Sequence, residues 1–178
     1  HLENPFKLLE KLSNNLKKKD VIYLQFPSLE KLVEHKKFDQ ICHQHINYFS
    51  LKSINLILNK LGLYILKYEY DTSHFGTIRL KISNNIKMKT HLKNEKNLYK
   101  KTLNSYNQFL NYYKNLQKNL TGSFINGQGF GAGLMVPILA YYLPVINKLD
   151  YLIDENKSKI GKKFINLKPE IKNIKFIN

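Results

Sequence analysis

Apolar positions at the start of the chain recur at a helical spacing. Phe6, Leu8, Leu9, Leu12 and Leu16 fall near a period of 3.6, behind Asn4, a fair N-cap, and Pro5, which suits the first helical position. Lys17 to Lys19 sit where a helix dipole favours cations, so the spacing predicts a helix from Asn4 to about Lys18. Asp20 to Phe26 is then a short, continuously apolar run closed by Pro27. A run without alternation predicts a strand covered on both faces, as in a parallel α/β sheet. Leu29 to about Val33 reads as a short helical piece, and residues 38–49 form a polar, irregular stretch. Ser50 can cap a helix through Leu61, which Gly62 stops. Leu63–Tyr70 and Gly76–Ser83 are rich in β-formers and predict an antiparallel pair of strands.

From about Lys93 to Leu120 the pattern predicts one long amphipathic helix. Its stripe is Tyr99, Leu103, Tyr106, Leu110, Tyr113 and Leu120, broken only at Gln117, and it is expected to be a packing surface on an interdomain strut. Beyond it the order reads as a strand (Ser123–Asn126), a glycine-rich turn, a helix (about Gly131 to Leu143) and a strand (Leu149–Ile153). That order predicts a βαβ unit. The tail, through Phe164-Ile165 and Ile174 to Ile177, is expected to add one or two strands.

Composition narrows the class. With 178 residues and 43% hydrophobic content, the chain can bury one good core or two small ones. Cys42 is the lone cysteine, which argues for a reducing, cytoplasmic setting. No apolar run reaches the roughly 18 residues of a membrane span, and the chain starts at His1, not at methionine, so it is read as a fragment. The net charge of +16 raises nucleic acid as a partner. However, 28 of the 29 basic residues are Lys in a background rich in Asn, Ile and Tyr, which fits biased codon usage. Between Lys81 and Leu120 stand nine Lys and one acid, Glu95, which reads first as a solvated helix face. A basic nucleic-acid-binding module therefore ranks last.

Three constellations could carry chemistry. In Cys42-His43-Gln44-His45, followed by Tyr48, an extended chain puts His43 and His45 on one side. Two imidazoles there could supply a general base, ligate a metal with His74, or simply be satisfied surface histidines. No acidic or thiolate set stands at metal-ligand spacing, so no metal is expected. The second constellation is His74-Phe-Gly76-Thr-Ile-Arg79. Gly76 would permit close approach of backbone to ligand, and Arg79, the sole arginine, offers a planar fork for phosphate or carboxylate; a structural ion pair is the equal alternative. The third, Gly127-Gln-Gly129-Phe-Gly131-Ala132-Gly133, fits G-x-G-x-x-A, with Asp150 or Asp154 at roughly the right distance for a nucleotide-type turn. Fewer than 60 residues follow Thr121, too few for a whole dinucleotide domain, so a compact lobe without NAD is preferred to an NAD(P)-linked oxidoreductase.

Taken together these pieces resemble the nucleotide-sugar C-methyltransferases of the class I S-adenosylmethionine type. His1-Leu-Glu-Asn-Pro5 resembles the family's E-H-x-x-x-P region. Phe38-Asp39 with Cys42-His43-Gln44-His45-x-x-Tyr48-Phe49-Ser50 resembles F-D-x-x-Y-H-E-H-x-x-Y-F-S. His74 to Arg79 resembles H-G-G-S-L-R, and Asp154-Glu-Asn156 with Lys159-x-Gly161-Lys162 resembles D-x-N-x-x-K-x-G-K. The resemblance implies an α/β fold in three parts. Residues 1–90 would be the C-terminal remnant of a methyltransferase Rossmann-like sheet, 91–121 a linking helix, and 122–178 a small Rossmann-like βαβ domain. It also implies S-adenosylmethionine as methyl donor and a nucleotide-linked sugar as acceptor. His45 would be the base that forms an enolate, with His1, Gln44 and Cys42 in its catalytic surroundings. His43, Tyr48, His74, Arg79, Gly127 and Gly129 would contact substrate. Here Cys42 replaces the family's Tyr and Gln44 its Glu, so His45 must be oriented by an amide or another group. The family's glycine-rich donor loop, ribose-binding acid and zinc cysteines are absent, so the fragment alone is expected to be inactive.

Overall fold

The computed structural model describes residues 2–42, 45–72, 76–92, 96–121 and 127–176. Among them the fold is mixed α/β, with two three-stranded sheets and five α-helices. The chain divides into two compact units, His1–Tyr106 and Asn107–Asn178.

In the first unit, helix α1 spans Pro5–Asn15, and the Asn4 side chain accepts a hydrogen bond from the Lys7 N–H (3.0 Å), with proline at the first turn as expected. Strand β1 (Ile22–Pro27) leads to the short helix α2 (Leu29–Glu34) and a 3-10 turn at Phe38–Gln40. Helix α3 (Leu51–Lys60) starts at a capping box between Ser50 and Ser53 and ends before Gly62, whose φ of +66° is the left-handed value a helix stop needs. Strands β2 (Tyr64–Asp71) and β3 (Thr77–Ser83) form the expected antiparallel pair.

The sheet order is β1-β3-β2, with β3 antiparallel to both neighbours. This corrects the reading of β1 as a parallel strand covered on both faces. Its exposure alternates, and Tyr23, on the open face, is 71% exposed with Lys81 Nζ 5.9 Å from its ring centroid. An aromatic ring beside an alkylammonium tolerates water, so an apolar run did not require a second cover. The other face carries the core: Leu9 of α1 and Leu51, Ile54 and Leu58 of α3 pack on Ile65, Ile78, Leu80 and Ile82. Each such side chain contributes about 1.5–3 kcal/mol of transfer free energy when fully buried.

Helix α4 spans Leu98–Leu120. Its packed face differs from the expected stripe. Tyr99 is 75% exposed, and Leu103 and Leu110 are also exposed. Within the first unit it is Ser105 that is buried, its hydroxyl donating to the Val33 carbonyl, and Tyr106 sets its ring edge-on to Phe38. Within the second, Phe109 is buried, and Tyr113, Leu116 and Leu120 lie on or against core side chains. The small Ser105 admits close backbone approach, and Phe109 has no hydroxyl to keep wet. These two choices draw the packed face toward Ser105 and Phe109, while Tyr113 and Leu120 of the expected stripe pack as read.

The second unit holds strands β4 (Gln128–Phe130), β5 (Tyr151–Ile153) and β6 (Glu170–Lys172), parallel in that order, with helix α5 (Val136–Tyr142) between β4 and β5. The βαβ order is as read, but its bounds move. The strand assigned to Ser123–Asn126 lies outside the described residues, and β4 occupies part of the stretch read as a turn. The turn itself is Gly131–Gly133, entered with φ +89° at Gly131. In the tail the strand is at Glu170–Lys172, centred on buried Ile171. Ile165 is 88% exposed, and Ile174–Phe176 is a 3-10 turn.

Candidate functional site

The end of β1, the loop from Gln40 to Ser50 and the start of β3 enclose a cleft in the first unit. Ser28 is the junction. Its N–H donates to the Gly76 carbonyl (3.1 Å), it bridges to Phe49, and its hydroxyl accepts from the Lys31 N–H and donates to Glu30 Oε2 (2.9 Å). Glu30, 9% exposed, uses its other oxygen to accept the Leu51 N–H at 2.6 Å. The N-terminus of α3, the loop before it and the end of β1 are therefore tied through one buried carboxylate. Carboxylate acceptors at helix N-termini satisfy orphan N–H groups and complement the dipole.

His45 stands in the wall of this cleft. A cavity of about 410 Å³ is lined by Phe26, Leu32, Lys37, His45, Tyr48 and Thr77 among others, polar groups set in a mainly apolar wall. A more apolar one of about 310 Å³, lined by Leu2, Leu8, Leu24, Phe49 and Ile54, shares His45 and Tyr48 with it. His45 Nδ1 lies 3.3 Å from the Gln40 carbonyl oxygen, which also accepts the Tyr48 hydroxyl at 3.2 Å. The Tyr48 oxygen in turn accepts the Cys42 N–H at 3.3 Å, and the two rings meet edge-on with centroids 6.2 Å apart. Burial raises the Tyr48 phenol above its ordinary pKa, opposed by the Cys42 N–H, so at neutral pH it is a hydroxyl. Because a carbonyl only accepts, the Nδ1 contact puts the imidazole proton on that nitrogen and leaves Nε2 as the basic one.

Two residues in this cleft escaped the reading of the sequence. Thr77 is 3% exposed, and its hydroxyl has no hydrogen-bond partner, which is uncommon for a buried polar atom. Lys37 brings a cation. Thr77 stands inside the His74–Arg79 motif but was not singled out there, and Lys37 is one lysine among many. His45 Nδ1 meets the Gln40 backbone carbonyl, a group which no side-chain motif could have named.

The other residues singled out from the sequence fall as follows. Cys42 is half-buried and meets Tyr48 through its backbone. His1, His43, Gln44 and His74 lie outside the described residues. Arg79 does not line the cleft. It points from the polar face of the sheet, pairs with Asp71 and with Glu69 (3.9 Å), and donates through Nε to Gln25 Oε1 at 3.3 Å. Gly76 does sit at the cleft, but its close approach is to the chain itself: at φ +107°, a Cβ there would stand 2.4 Å from Lys31 Cβ.

Gly127 and Gly129 belong to the second unit. Gly129 lies within β4, and a Cβ on it would meet Leu152 Cδ2 at 2.6 Å and Leu149 Cδ1 at 3.0 Å. This glycine makes room for the core. Asp154 accepts the Ala132 N–H (2.9 Å) and the Asn156 N–H (2.8 Å) and pairs with Lys159 (2.9 Å). The Lys159 ammonium, then those two N–H groups, hold the Asp154 carboxyl down at about 2. Among the described residues there is no group of three or more His, Cys, Asp or Glu placed to hold a metal ion, and no helix long and apolar enough to cross a membrane.

No family model matches this chain, and no curated protein does.

Proposed function

We propose that this chain is the acceptor-side part of an S-adenosylmethionine-dependent C-methyltransferase, working in the cytoplasm on a nucleotide-linked keto sugar, with His45 as the base. The observation that carries the proposal is the His45 Nδ1 contact with the Gln40 carbonyl in the wall of a cleft. With the proton on Nδ1, the lone pair of Nε2 is the one that would take a proton from the substrate.

In this reading a carbon next to the ketone gives its proton to Nε2. The electron pair of the broken C–H bond becomes the enolate, with charge on the ketone oxygen. The unpartnered Thr77 hydroxyl suits a ligand oxygen, and Lys37 suits an anionic portion of the substrate. The order β1-β3-β2, with the last strand inserted antiparallel between the other two, suits the closing end of a class I methyltransferase sheet. A Rossmann-like second unit accords with its three parallel strands.

S-adenosylmethionine itself finds no fit among the described residues. The one glycine-rich stretch has Gly129 packed under Leu152, and Asp154 is engaged by Ala132 and Lys159, so neither is available to a nucleoside. No step is assigned through the donor here.

The test uses the natural protein that carries this chain, incubated with S-adenosylmethionine and a nucleotide-linked keto sugar. A C-methylated product is expected, and His45→Ala should slow its formation by about 10²–10⁴-fold, the usual worth of a positioned base. A loss under threefold would remove His45 from the chemistry.

A further inference from the structure

A groove of about 1080 Å³ lies in the first unit between α2, the start of α3, β2 and the start of α4. It shares no lining residue with the cleft of His45. Its lining includes lysines and tyrosines, among them Lys31, Lys52, Lys101, Tyr70 and Tyr99. Lys31 Nζ lies 5.3 Å from the Tyr70 ring centroid, and Tyr99 stands almost bare to solvent. Two carboxylates also face the groove, and both are engaged: Glu30 by Ser28 and Leu51, Glu34 by Lys31 at 2.7 Å. The first residues of α4 belong to the wall, so its helix dipole adds positive potential there, whereas the α3 N-terminus is already met by Glu30. Finally, Asn55 Oδ1 is buried and, among the described residues, has no hydrogen-bond partner, so it can still accept an N–H or O–H.

We infer that this groove is a second ligand site, and that it takes a nucleotide unit: a flat ring stacked on Tyr99 or Tyr70, its phosphate among Lys31, Lys52 and Lys101, and a ring or ribose donor on Asn55. Lysines alone would hold any anion. Exposed aromatic faces in the same groove select an anion that carries a ring. The inference does not rest on the methyltransferase reading, because no sugar carbon or base takes part in it. The ring and phosphate could come from a free nucleotide or from a single strand.

The experiment is calorimetric titration of the chain with uridine diphosphate, and separately with uridine, inorganic pyrophosphate and a short single-stranded oligonucleotide. Saturable binding of uridine diphosphate is expected, tighter than both uridine and pyrophosphate. It should weaken about tenfold or more in Lys52→Ala/Lys101→Ala and also in Tyr99→Ala, and stay unchanged in Lys157→Ala, an exposed lysine of the second unit outside both sites. A tighter site for the oligonucleotide, lost in the same variants, would assign the unit to a strand and keep the groove. The inference is overturned by an absence of saturable binding at millimolar ligand or by pyrophosphate binding as tightly as the nucleotide. It is equally overturned by binding that Lys37→Ala abolishes while the groove variants retain it.

Discussion

Replacing Glu30 by alanine removes the acceptor of two hydrogen bonds inside the first unit. One comes from the Leu51 N–H at 2.6 Å and the other from the Ser28 hydroxyl at 2.9 Å. Hydrogen bonds to a charged acceptor contribute about 1.5–3 kcal/mol each, and a donor left buried costs about 1–3 kcal/mol. The Ser28 hydroxyl can rotate, whereas the Leu51 N–H is held at the first turn of α3, so the two losses do not simply add. A cost of about 2–4 kcal/mol follows for Glu30→Ala. Glu30→Gln keeps one acceptor oxygen but turns an NH₂ toward the other donor, and should cost about 1–2 kcal/mol. Urea unfolding followed by circular dichroism, with hydrogen exchange to separate the two units, reads both numbers. Protection should fall in α3 and in β1–β3 and hold steady in β4–β6. A loss below about 0.5 kcal/mol for Glu30→Ala, or equal losses for the two variants, would refute the reasoning that the carboxylate ties these elements together.

Three further outcomes are expected. Gly129→Ala should lower the stability of the second unit by about 1–3 kcal/mol through overpacking against Leu152, with partial recovery in Gly129→Ala/Leu152→Val; a thermal scan that does not move would mean the strand has room for a side chain. Asp154 has a folded pKa of about 2 against an ordinary 3.8, so its contribution is present above the ordinary value and fades as pH falls from about 4 toward 2. The acid limb of the second unit's stability should therefore be shallower in Asp154→Asn, and identical limbs would show the Lys159 pairing to be without consequence. Gly76→Ala combines a left-handed φ with a 2.4 Å approach to Lys31 Cβ, so it should cost about 2–4 kcal/mol, read by the same urea titration; a neutral result would mean α2 can slide away from β3.

Local signals were the most legible part of this fold. The Asn4-Pro5 start of α1, the Ser50 cap and the Gly62 stop each act within four residues, and all three stand where their chemistry places them. The antiparallel pairing of β2 with β3 was also readable from two β-rich runs a short link apart. What depends on partners distant in sequence was not. Nothing in Val21 to Phe26 tells that β3 will lie beside β1 with its far face in water. The buried side of α4 follows from Ser105 meeting Val33 and from Phe109, with only part of the more regular tyrosine stripe. Gly129 read as a phosphate turn because glycine permits both a close ligand and a close leucine; only the position of Leu152 shows the second. At the site, His45 and Tyr48 were named in advance and do meet in one cleft, whereas the carbonyl that His45 Nδ1 meets carries no residue-type signature.

Proton removal from carbon by His45 is the central claim, and it can be observed without methyl transfer. In deuterated buffer, a nucleotide-linked keto sugar mixed with the chain should lose the NMR signal of the proton beside its ketone faster than in buffer alone. The same sugar with His45→Asn should exchange at the background rate. Exchange that is equally fast with His45→Asn, or absent while the sugar is bound in the cleft, would contradict the account.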